Sequence, residues 1–317
     1  MSLISLNSYT TLFNNGNNGI EKSKIYKSPK FSNILILPRE CDIIEFEYLE
    51  LNFFDSLTIQ HMDIINSIIL TMKIHDEKIL TIPLSLLINL KNPIIINNFT
   101  YYIDLQFNMF FSKNIKLLNL QYSNISFSIE FDEFNSDLNS YICNFGLVCN
   151  LTLLDNSERK KLIQQSLIEE YPIQQIQFIN IKIDIIKNKF KLKIPFNGLI
   201  KGFFINAPIQ YLSYIELLFN NEIRYDYNKF LILKKFQKIN ENLLYVPFET
   251  SKSYLDNSIN SYKGSTNLSK IELIEMKLEF DNEIEILNEF KFVKILGLNY
   301  NNVRFINGLG KLSYNII

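Results

Sequence analysis

The sequence predicts an all-β chain made of two consecutive sandwiches joined by a short helix. Three observations support this fold class. First, apolar and polar residues alternate with a period of two along many stretches of the chain. Second, a single helical segment interrupts these stretches near the middle. Third, 317 residues suffice for two domains of about 150 residues each. Each half would then form one β-sandwich around its own hydrophobic core.

The alternating runs occur in both halves of the sequence. Each places apolar side chains on one face and charged or small polar side chains on the other, as a half-buried strand does. Clusters of Asn, Asp and Ser separate the runs and favour turns. The clearest runs are Ile44–Leu51, Ser126–Phe131, Lys189–Phe196 and Ile274–Phe280.

The segment that breaks this pattern begins at Asp155. Asp155-Asn-Ser-Glu158 has the spacing of a capping box, in which the first side chain accepts backbone N–H groups and the last reaches back. Residues Arg159 to Glu170 continue as a short amphipathic helix that Pro172 should stop. We therefore expect an N-terminal arm over residues 1–19, a first sandwich over 20–154, the helix over 155–171 and a second sandwich over 172–317.

The composition argues against several classes of protein. Hydrophobic residues make up 47% of the chain and charged residues 21%, which is too apolar for an intrinsically disordered protein. Lys and Arg total 32 against 33 for Asp and Glu, so no basic excess exists to neutralise nucleic-acid phosphates. We expect no sequence-specific nucleic-acid partner.

The termini, apolar stretches and cysteines indicate a soluble protein made in a reducing compartment. The first twenty residues are polar, and Asn, Ser and Pro break the apolar stretches before the ~18 residues needed to span a bilayer. We expect neither a signal peptide nor a transmembrane segment. Cys41, Cys143 and Cys149 are odd in number and lack CxxC spacing, so neither a disulfide framework nor a zinc site is expected.

No arrangement of residues predicts catalysis. His61 lies two residues before Asp63, which could orient it as a base, but a packing or surface role fits it better. No Cys or His lies at metal-ligand spacing from His75. The Gly-x-Gly within Asn307–Gly310 follows no βα unit, so it does not predict a dinucleotide-binding turn. We expect no enzyme activity, no cofactor and no catalytic or metal site.

Several short segments follow one another along nearly the whole chain in a recognisable order. The most specific are Asp-x-x-Glu-Arg at Asp155–Arg159 and Asn-Tyr-Asn, Arg and Gly-x-Gly within Asn299–Gly310. In order and spacing, the segments resemble the double jelly-roll major capsid proteins of nucleocytoplasmic large DNA viruses. The segments are Met62–Leu70, Phe110–Phe131, Leu151–Arg159, Glu170–Gln177, Phe196–Lys201, Gly264–Ile271 and Leu298–Tyr314.

This resemblance implies a fold and a function. The fold would be two consecutive eight-stranded jelly rolls, and three copies would form a trimeric, pseudo-hexagonal capsomer that tiles an icosahedral shell. The chain's partners would be its own copies, neighbouring capsomers, and minor capsid and penton proteins. It would be assembled in the host-cell cytoplasm and located in the virion capsid.

The resemblance also selects a set of structural positions. Glu158 and Arg159 are expected to cap the linking helix and bridge the two sandwiches, and Gly264 with Ser265 to form a tight turn. The full set is Asp155, Glu158, Arg159, Gly264, Ser265, Asn267, Ser269, Asn299, Tyr300, Asn301, Arg304, Gly308 and Gly310.

The C-terminal part of this set has its own expected roles. Asn299 and Asn301 beside Arg304 suggest a polar lock, and Gly308 and Gly310 suit a close approach of the backbone. Ordinary turn chemistry is the alternative interpretation of all these positions.

Departures from the family pattern keep other functions open. Leu268 stands where the family has Phe, Lys270 where it has Arg, and Gly198-Leu199 where it has His-Pro. The chain is also short for tall surface loops. The alternatives are a minor capsid or scaffold paralogue of the same fold, a β-sandwich module that binds host glycans or proteins, and a β-sandwich hydrolase with paired carboxylates.

Overall fold

The computed structural model divides the chain into two compact units. The first contains the described residues up to Ile173 and those from Asn302 onward, and the second contains Gln174 to Asn301. The expected N-terminal arm lies outside the described residues, except for Gly19. The structure describes residues 19–30, 32–54, 61–97, 99–111, 114–131, 142–165, 168–182, 188–248, 264–281 and 292–313.

The first unit is built from strands β1 to β10. They are β1 (Gly19–Lys27), β2 (Ile34–Ile36), β3 (Ile43–Phe53), β4 (Ile68–Ile74), β5 (Glu77–Pro83), β6 (Ile94–Asn97), β7 (Thr100–Asp104), β8 (Ile115–Lys116), β9 (Ile125–Phe131) and β10 (Ile142–Leu154). One sheet has the order β1-β10-β3-β7-β6, with β8 also paired to β3, and the other has the order β2-β9-β4-β5. The short helices are α1 (His61–Ser67), α2 (Leu84–Leu90), α3 (Phe107–Phe110) and α4 (Asn156–Gln165).

The next ten strands give the second unit most of its structure. They are β11 (Ile168–Lys182), β12 (Lys189–Lys193), β13 (Leu199–Asn206), β14 (Leu212–Phe219), β15 (Glu222–Asn228), β16 (Gln237–Lys238), β17 (Leu243–Pro247), β18 (Thr266–Asn267), β19 (Ile274–Phe280) and β20 (Phe292–Ile306). Helix α5 (Lys229–Lys235) follows β15, and β21 (Leu309–Leu312) pairs with the end of β20. The sheets have the orders β11-β20-β13-β17-β16, with β18 beside β13, and β12-β19-β14-β15.

The two sets of strands repeat one topology. Adding ten to each strand number of the first set gives the neighbour order of the second, in both sheets. Both sets follow a jelly-roll order of antiparallel strands. The structure describes ten strands in each set, against the eight predicted for each jelly roll, and some of them, such as β8 and β18, have only two residues. Strands β11 and β20 each carry the chain from one unit into the other.

Period-two alternation explains where each core lies. In the first unit, Phe46 of β3 meets Phe127 of β9 edge-on, with ring centroids 4.9 Å apart. In the second unit, Phe203 of β13 shares one buried cluster with Ile215 and Leu217 of β14. Each pair of sheets thus buries one face of both sheets, as sandwich packing requires. The predicted all-β fold of two sandwiches is confirmed.

The linking helix is shorter than predicted. Helix α4 ends at Gln165 rather than continuing to Glu170, and β11 begins at Ile168. Burial of Tyr171 and Ile173 explains the change, because alternate side chains of an extended chain reach the interior. Pro172 is tolerated within β11 because that strand is the last in its sheet.

The end of the second domain also differs from the prediction. The expected second sandwich ran to residue 317, but the described residues from Asn302 to Ser313 belong to the first unit. The reason is the β20–β21 hairpin, whose turn contacts the first unit: the Tyr122 N–H donates to the Gly308 carbonyl at 3.0 Å.

Charged side chains line one face of the β12-β19-β14-β15 sheet. Lys191 Nζ lies 2.9 Å from Glu275 Oε2, and Lys277 Nζ lies 2.5 Å from Glu216 Oε1. The Tyr214 hydroxyl donates to the other oxygen of Glu216 at 2.8 Å. The hydrogen bond from Lys277 is the main cause that holds the pKa of Glu216 below its ordinary value, although partial burial opposes it.

Replacing Glu216 should therefore remove part of the acid sensitivity of the fold. A carboxyl with a lowered folded-state pKa contributes stability that is complete above its unfolded pKa of 4.5 and is lost as the pH falls through the folded value. We expect the stability difference between wild type and Glu216→Gln to shrink between about pH 6 and about pH 3, in urea unfolding. The exposed Glu222→Gln serves as the control. An equal pH dependence of Glu216→Gln and wild type would contradict this assignment.

Candidate functional site

The predicted structural positions fall into two groups, one in each unit. Asp155, Glu158, Arg159, Arg304, Gly308 and Gly310 belong to the first unit. Gly264, Ser265, Asn267, Ser269, Asn299, Tyr300 and Asn301 belong to the second. Among the described residues, no group of His, Cys, Asp and Glu could hold a metal ion. No helix in the described part of the chain is long and apolar enough to cross a membrane.

Asp155 caps helix α4. Its Oδ1 accepts hydrogen bonds from the backbone N–H groups of Ser157 and Glu158, each at 2.8 Å. These bonds, led by the one from Glu158, lower the pKa of the Asp155 carboxyl. The Glu158 side chain adds negative charge to the first turn, where the helix dipole favours it. The local sequence thus begins the helix at the expected residue.

Arg159 finds its partner within the first unit. Its Nη2 donates to Asp42 Oδ2 at 2.9 Å, and the same oxygen accepts the Leu154 backbone N–H at 2.7 Å. Asp42 is only 3% exposed, and its bond to Arg159 raises the pKa of the guanidinium. One carboxylate therefore joins the start of β3, the end of β10 and helix α4. The bridge between the two sandwiches that the sequence suggested for Glu158 and Arg159 stays a prediction.

A second carboxylate, Glu169, organises the beginning of β11. Lys116 Nζ lies 2.8 Å from its Oε1, and the Tyr171 hydroxyl donates to its Oε2 at 2.9 Å. The Asn119 side-chain amide also donates to Oε2. Tyr171 is buried against Phe305, with ring centroids 4.5 Å apart, and burial is the main cause that raises the pKa of its phenol. Sequence reasoning missed both Asp42 and Glu169, because nothing local separates them from the many surface carboxylates.

The C-terminal hairpin places its two glycines against the first unit. Asn307 and Gly308 both have positive φ, 51° and 81°, which a two-residue hairpin turn of type I′ requires. A Cβ at Gly308 would lie 2.7 Å from the Tyr122 ring, and one at Gly310 would lie 2.8 Å from Ile74. Both positions therefore allow a close approach that larger residues would block.

Arg304 pairs with a carboxylate of the first unit. Its Nε donates to Glu170 Oε1 at 2.7 Å, and both side chains are about half exposed. Asn301 is instead fully buried and donates to Gln175 Oε1 at 2.7 Å.

The second-unit cluster is centred on the loop before β13. The Gln177 side chain makes two hydrogen bonds with the backbone of Asn197. Its Nε2 donates to the Asn197 carbonyl at 2.6 Å, and its Oε1 accepts from the Asn197 N–H at 3.0 Å. The Gly198 N–H donates to Ser269 Oγ at 2.8 Å, and the Leu268 N–H donates to the Gly198 carbonyl at 2.8 Å. Asn267 Oδ1 accepts a hydrogen bond from the Ser269 N–H at 3.1 Å. We call this set of hydrogen bonds around Gly198 the second-unit joint.

Gly198 fits this joint because it has no side chain. Its φ is +81°, and an added Cβ would lie 2.6 Å from Asn299 Oδ1. That oxygen is buried and has no hydrogen-bond partner among the described residues. Tyr300 lies opposite Leu199 in the sheet. Sequence reasoning treated Gly198 only as a departure from the family pattern, although a glycine between two strand-like runs was a signal.

Gly264 and Ser265 immediately precede β18. Gly264 has a φ of +78°, a left-handed conformation that glycine adopts without strain. The strand β18 that follows pairs with the start of β13. This pairing holds Asn267 next to the Gly198 joint.

His61 packs among aromatic rings. It stacks on Phe53, with ring centroids 4.6 Å apart, and its Nδ1 lies 3.0 Å from the Tyr101 hydroxyl. His75 is exposed at the turn between β4 and β5, 3.2 Å from Asp76. Both positions fit the structural roles that the sequence favoured for the histidines.

The polar clusters therefore fix strand ends and a helix start to one another. Their carboxylates and amides bind main-chain groups or neighbouring side chains of the same unit. Such clusters favour the one arrangement of strand ends and loops that brings all the hydrogen-bonding groups together.

Comparisons with known proteins identify the fold. No family model matches the chain, and no curated protein matches its sequence. Among solved structures, VP54 of PBCV-1, from a crystal structure fitted into a reconstruction of the virophage Sputnik, is similar with a TM-score of 0.70. The identity is 14%, over 97% of this chain and 99% of that one.

Two further structures are similar over most of their length. A quasi-atomic model of the PBCV-1 virus capsid gives a TM-score of 0.69 at 14% identity, over 97% of this chain and 99% of that one. The Faustovirus major capsid protein gives 0.55 at 6% identity, over 95% and 92%. These likenesses show that the chain has the double jelly-roll fold, as the sequence segments predicted.

Removing the hydrogen bonds to Asp42 should lower the stability of the fold much more than removing an exposed ion pair does. We expect Asp42→Ala to lower the free energy of unfolding by about 1.5–3 kcal/mol, because it leaves the Leu154 N–H and Arg159 without their acceptor. Glu170→Ala, which breaks the exposed pair with Arg304, should cost about 0–1 kcal/mol. Chemical denaturation of the two variants measures both values. Equal losses would show that Asp42 is no more than a surface partner.

A methyl group at Gly198 should strain the second-unit joint. We expect Gly198→Ala to destabilise the protein by about 1–2 kcal/mol from its left-handed backbone alone, with a further loss from the clash with Asn299. In the Asn299→Ala background the clash is removed, so the cost of Gly198→Ala should fall towards the backbone value. A double-mutant cycle measured by thermal unfolding tests this coupling. Additive effects would rule it out.

Proposed function

We propose that this double jelly-roll chain is a structural capsid protein. Its copies would associate as homotrimers, and each trimer would form a pseudo-hexagonal capsomer that tiles an icosahedral shell. The observation that carries the proposal is the repetition of one jelly-roll order in the strands β1–β10 and β11–β20 of a single chain.

The repeat supports a trimer because it would give a closed threefold ring an approximate sixfold symmetry. Three copies related by a threefold axis bring six sandwiches of one topology around that axis. A ring of six near-equivalent bodies has a pseudo-sixfold outline, which can pack among like rings in a plane. Shape would then perform the function, with no chemical step.

The likeness to PBCV-1 and Faustovirus capsid structures supports the same proposal. It extends over nearly the whole of this chain and of those chains, so that one chain of this length matches one capsid subunit. The protein would then be located in the virion capsid after assembly in the host-cell cytoplasm. Its partners would be neighbouring capsomers and minor capsid and penton proteins.

The polar joints supply the rigidity that such a subunit needs. Asp42 ties a helix and two strands of the first unit, and the Gly198–Ser269 joint ties the loop and strands of the second. The thirteen motif positions would then be structural, as the family resemblance implies. Glu158, Gly264 and Tyr300 would act through turns and pairings rather than through a ligand.

The solution mass of the purified chain tests this function. We expect light scattering to give three times 37.4 kDa, about 112 kDa, and negative-stain averages to show hexagonal views. A permanent interface of this kind should bury more than about 2,000 Å², so the mass should hold on dilution to nanomolar concentration. A stable monomer of 37.4 kDa at micromolar concentration would contradict a self-sufficient capsomer.

A further inference from the structure

Helix α5 of the second unit displays large apolar side chains to solvent. Phe230 is 69% exposed and Leu233 is 54% exposed, although residues of these types are mostly buried in folded proteins. The two are three positions apart in the helix, so they lie next to each other on one face. We call them the apolar pair. Adjacent exposed apolar side chains point to a binding surface, whereas isolated ones are common on any protein.

The other side of the helix is fixed to the sandwich. Ile232 is 1% exposed and belongs to the core cluster of the second unit, and so does Phe236, the residue that follows the helix. Asn228 caps the first turn, because its Oδ1 accepts a hydrogen bond from the Leu231 N–H at 3.1 Å. The helix is therefore held with the apolar pair facing outward.

Lysines surround the apolar pair. Residues 229–238 contain four lysines and no acidic residue, whereas the whole chain has a net charge of −1. The first of these lysines pairs with Asp281, at 2.7 Å between Nζ and Oδ2. The other three, Lys234, Lys235 and Lys238, are exposed and form no ion pair with the residues that the structure describes. Their charges are thus available to an anionic partner.

One of these cations lies directly beside the apolar pair. The Lys234 Nζ is 5.7 Å from the centroid of the Phe230 ring, within the range of a cation–π contact. Lys235 is the next residue and lies in the last turn of the helix, where the helix dipole favours positive charge. Apolar and cationic groups therefore form one continuous surface.

From this combination we propose that helix α5 and its lysines bind an anionic lipid surface. The inference is independent of the proposed capsomer, because all the residues concerned belong to the second unit of a single copy. The residues of this α5 surface are Phe230, Leu233, Lys234, Lys235 and Lys238.

The chemistry of the α5 surface matches that of an interfacial helix. Such helices place Phe and Leu at the boundary of headgroups and acyl chains and keep lysines on the polar side. The flexible lysine stems let the ammonium groups remain at the headgroups while the apolar side chains enter more deeply. Each lysine near an anionic surface should raise the affinity about fivefold.

The use of lysine favours lipid over a protein partner. Protein–protein interfaces are depleted of lysine, whereas the polar face of an interfacial helix is rich in it. Anionic headgroups also supply negative charge on every side of the apolar pair, so that Lys234 and Lys238 need no fixed arrangement of partners. Because α5 offers only two exposed apolar side chains, binding should depend on both the apolar pair and the lysines.

Sedimentation with lipid vesicles measures the binding. We expect the full-length wild type to sediment with vesicles of equimolar phosphatidylcholine and phosphatidylserine, and not with phosphatidylcholine vesicles. The double variant Lys234→Glu, Lys235→Glu should lower the affinity at least about 25-fold, and added salt should weaken wild-type binding. The matched control is Lys78→Glu, Lys311→Glu, which makes the same change of charge at exposed positions of the first unit and should bind like the wild type.

Fluorescence tests whether the apolar pair itself enters the lipid. The chain contains no tryptophan, so Phe230→Trp introduces a single indole. Its emission should shift to shorter wavelength when the anionic vesicles are added, because the ring leaves water. The matched control is Ile223→Trp, at a 60% exposed position of β15 in the same unit, whose emission should not change. Circular dichroism checks that all the variants are folded.

Three results would separate the possible outcomes. If the wild type does not sediment with the anionic vesicles, the lipid surface is wrong and an acidic protein is the partner to test. If it does sediment, but Phe230→Trp responds no more than Ile223→Trp or both lysine double variants lose affinity equally, another surface binds the lipid and the inference is again wrong. A mass of 37.4 kDa together with the expected vesicle binding would contradict the capsomer alone.

Discussion

The structure depends on one constraint, that each antiparallel sheet must bury one of its faces against a second sheet. Pairs such as Phe46 with Phe127, and the cluster around Phe203, meet this requirement separately in each unit. Because strand side chains alternate, burying one face fixes the register of each strand, and a slip by one residue would turn the apolar set to the solvent. The choice of the buried face therefore decides which side chains of each strand form the core and which lie on the surface.

Polar groups near the sandwich ends work within that constraint. Asp42 and Glu169 are carboxylates that several strands share, and each accepts more than one hydrogen bond. A buried acceptor with several donors stabilises only the arrangement that brings all the donors together. These residues therefore specify how loops and helix α4 join the sheets, while the apolar residues supply most of the free energy of folding.

The sequence predicted the features that local periodicity controls. Alternation identified strands such as Ser126–Phe131, and Asp155 identified the start of α4, because capping and pleating act over a few residues. The predicted end of α4 was wrong, because Tyr171 is buried through contacts with residues distant in sequence, and such contacts override a local helical pattern. Asp42 and Glu169 were missed for the same reason, since their partners are distant in sequence. The capsid motif positions clustered by unit rather than into one site.

The return of strand β20 into the first unit bears on the order of folding during synthesis. The first unit includes the hairpin of β20 and β21, although more than a hundred residues of the second unit are translated before it. The last strands of the first unit are therefore synthesised after the second unit. The hydrogen bond from the Tyr122 N–H to the Gly308 carbonyl can form only then. Truncated products that stop before Asn302 would carry an unfinished first unit. The first unit can therefore be completed only after the second unit has been synthesised.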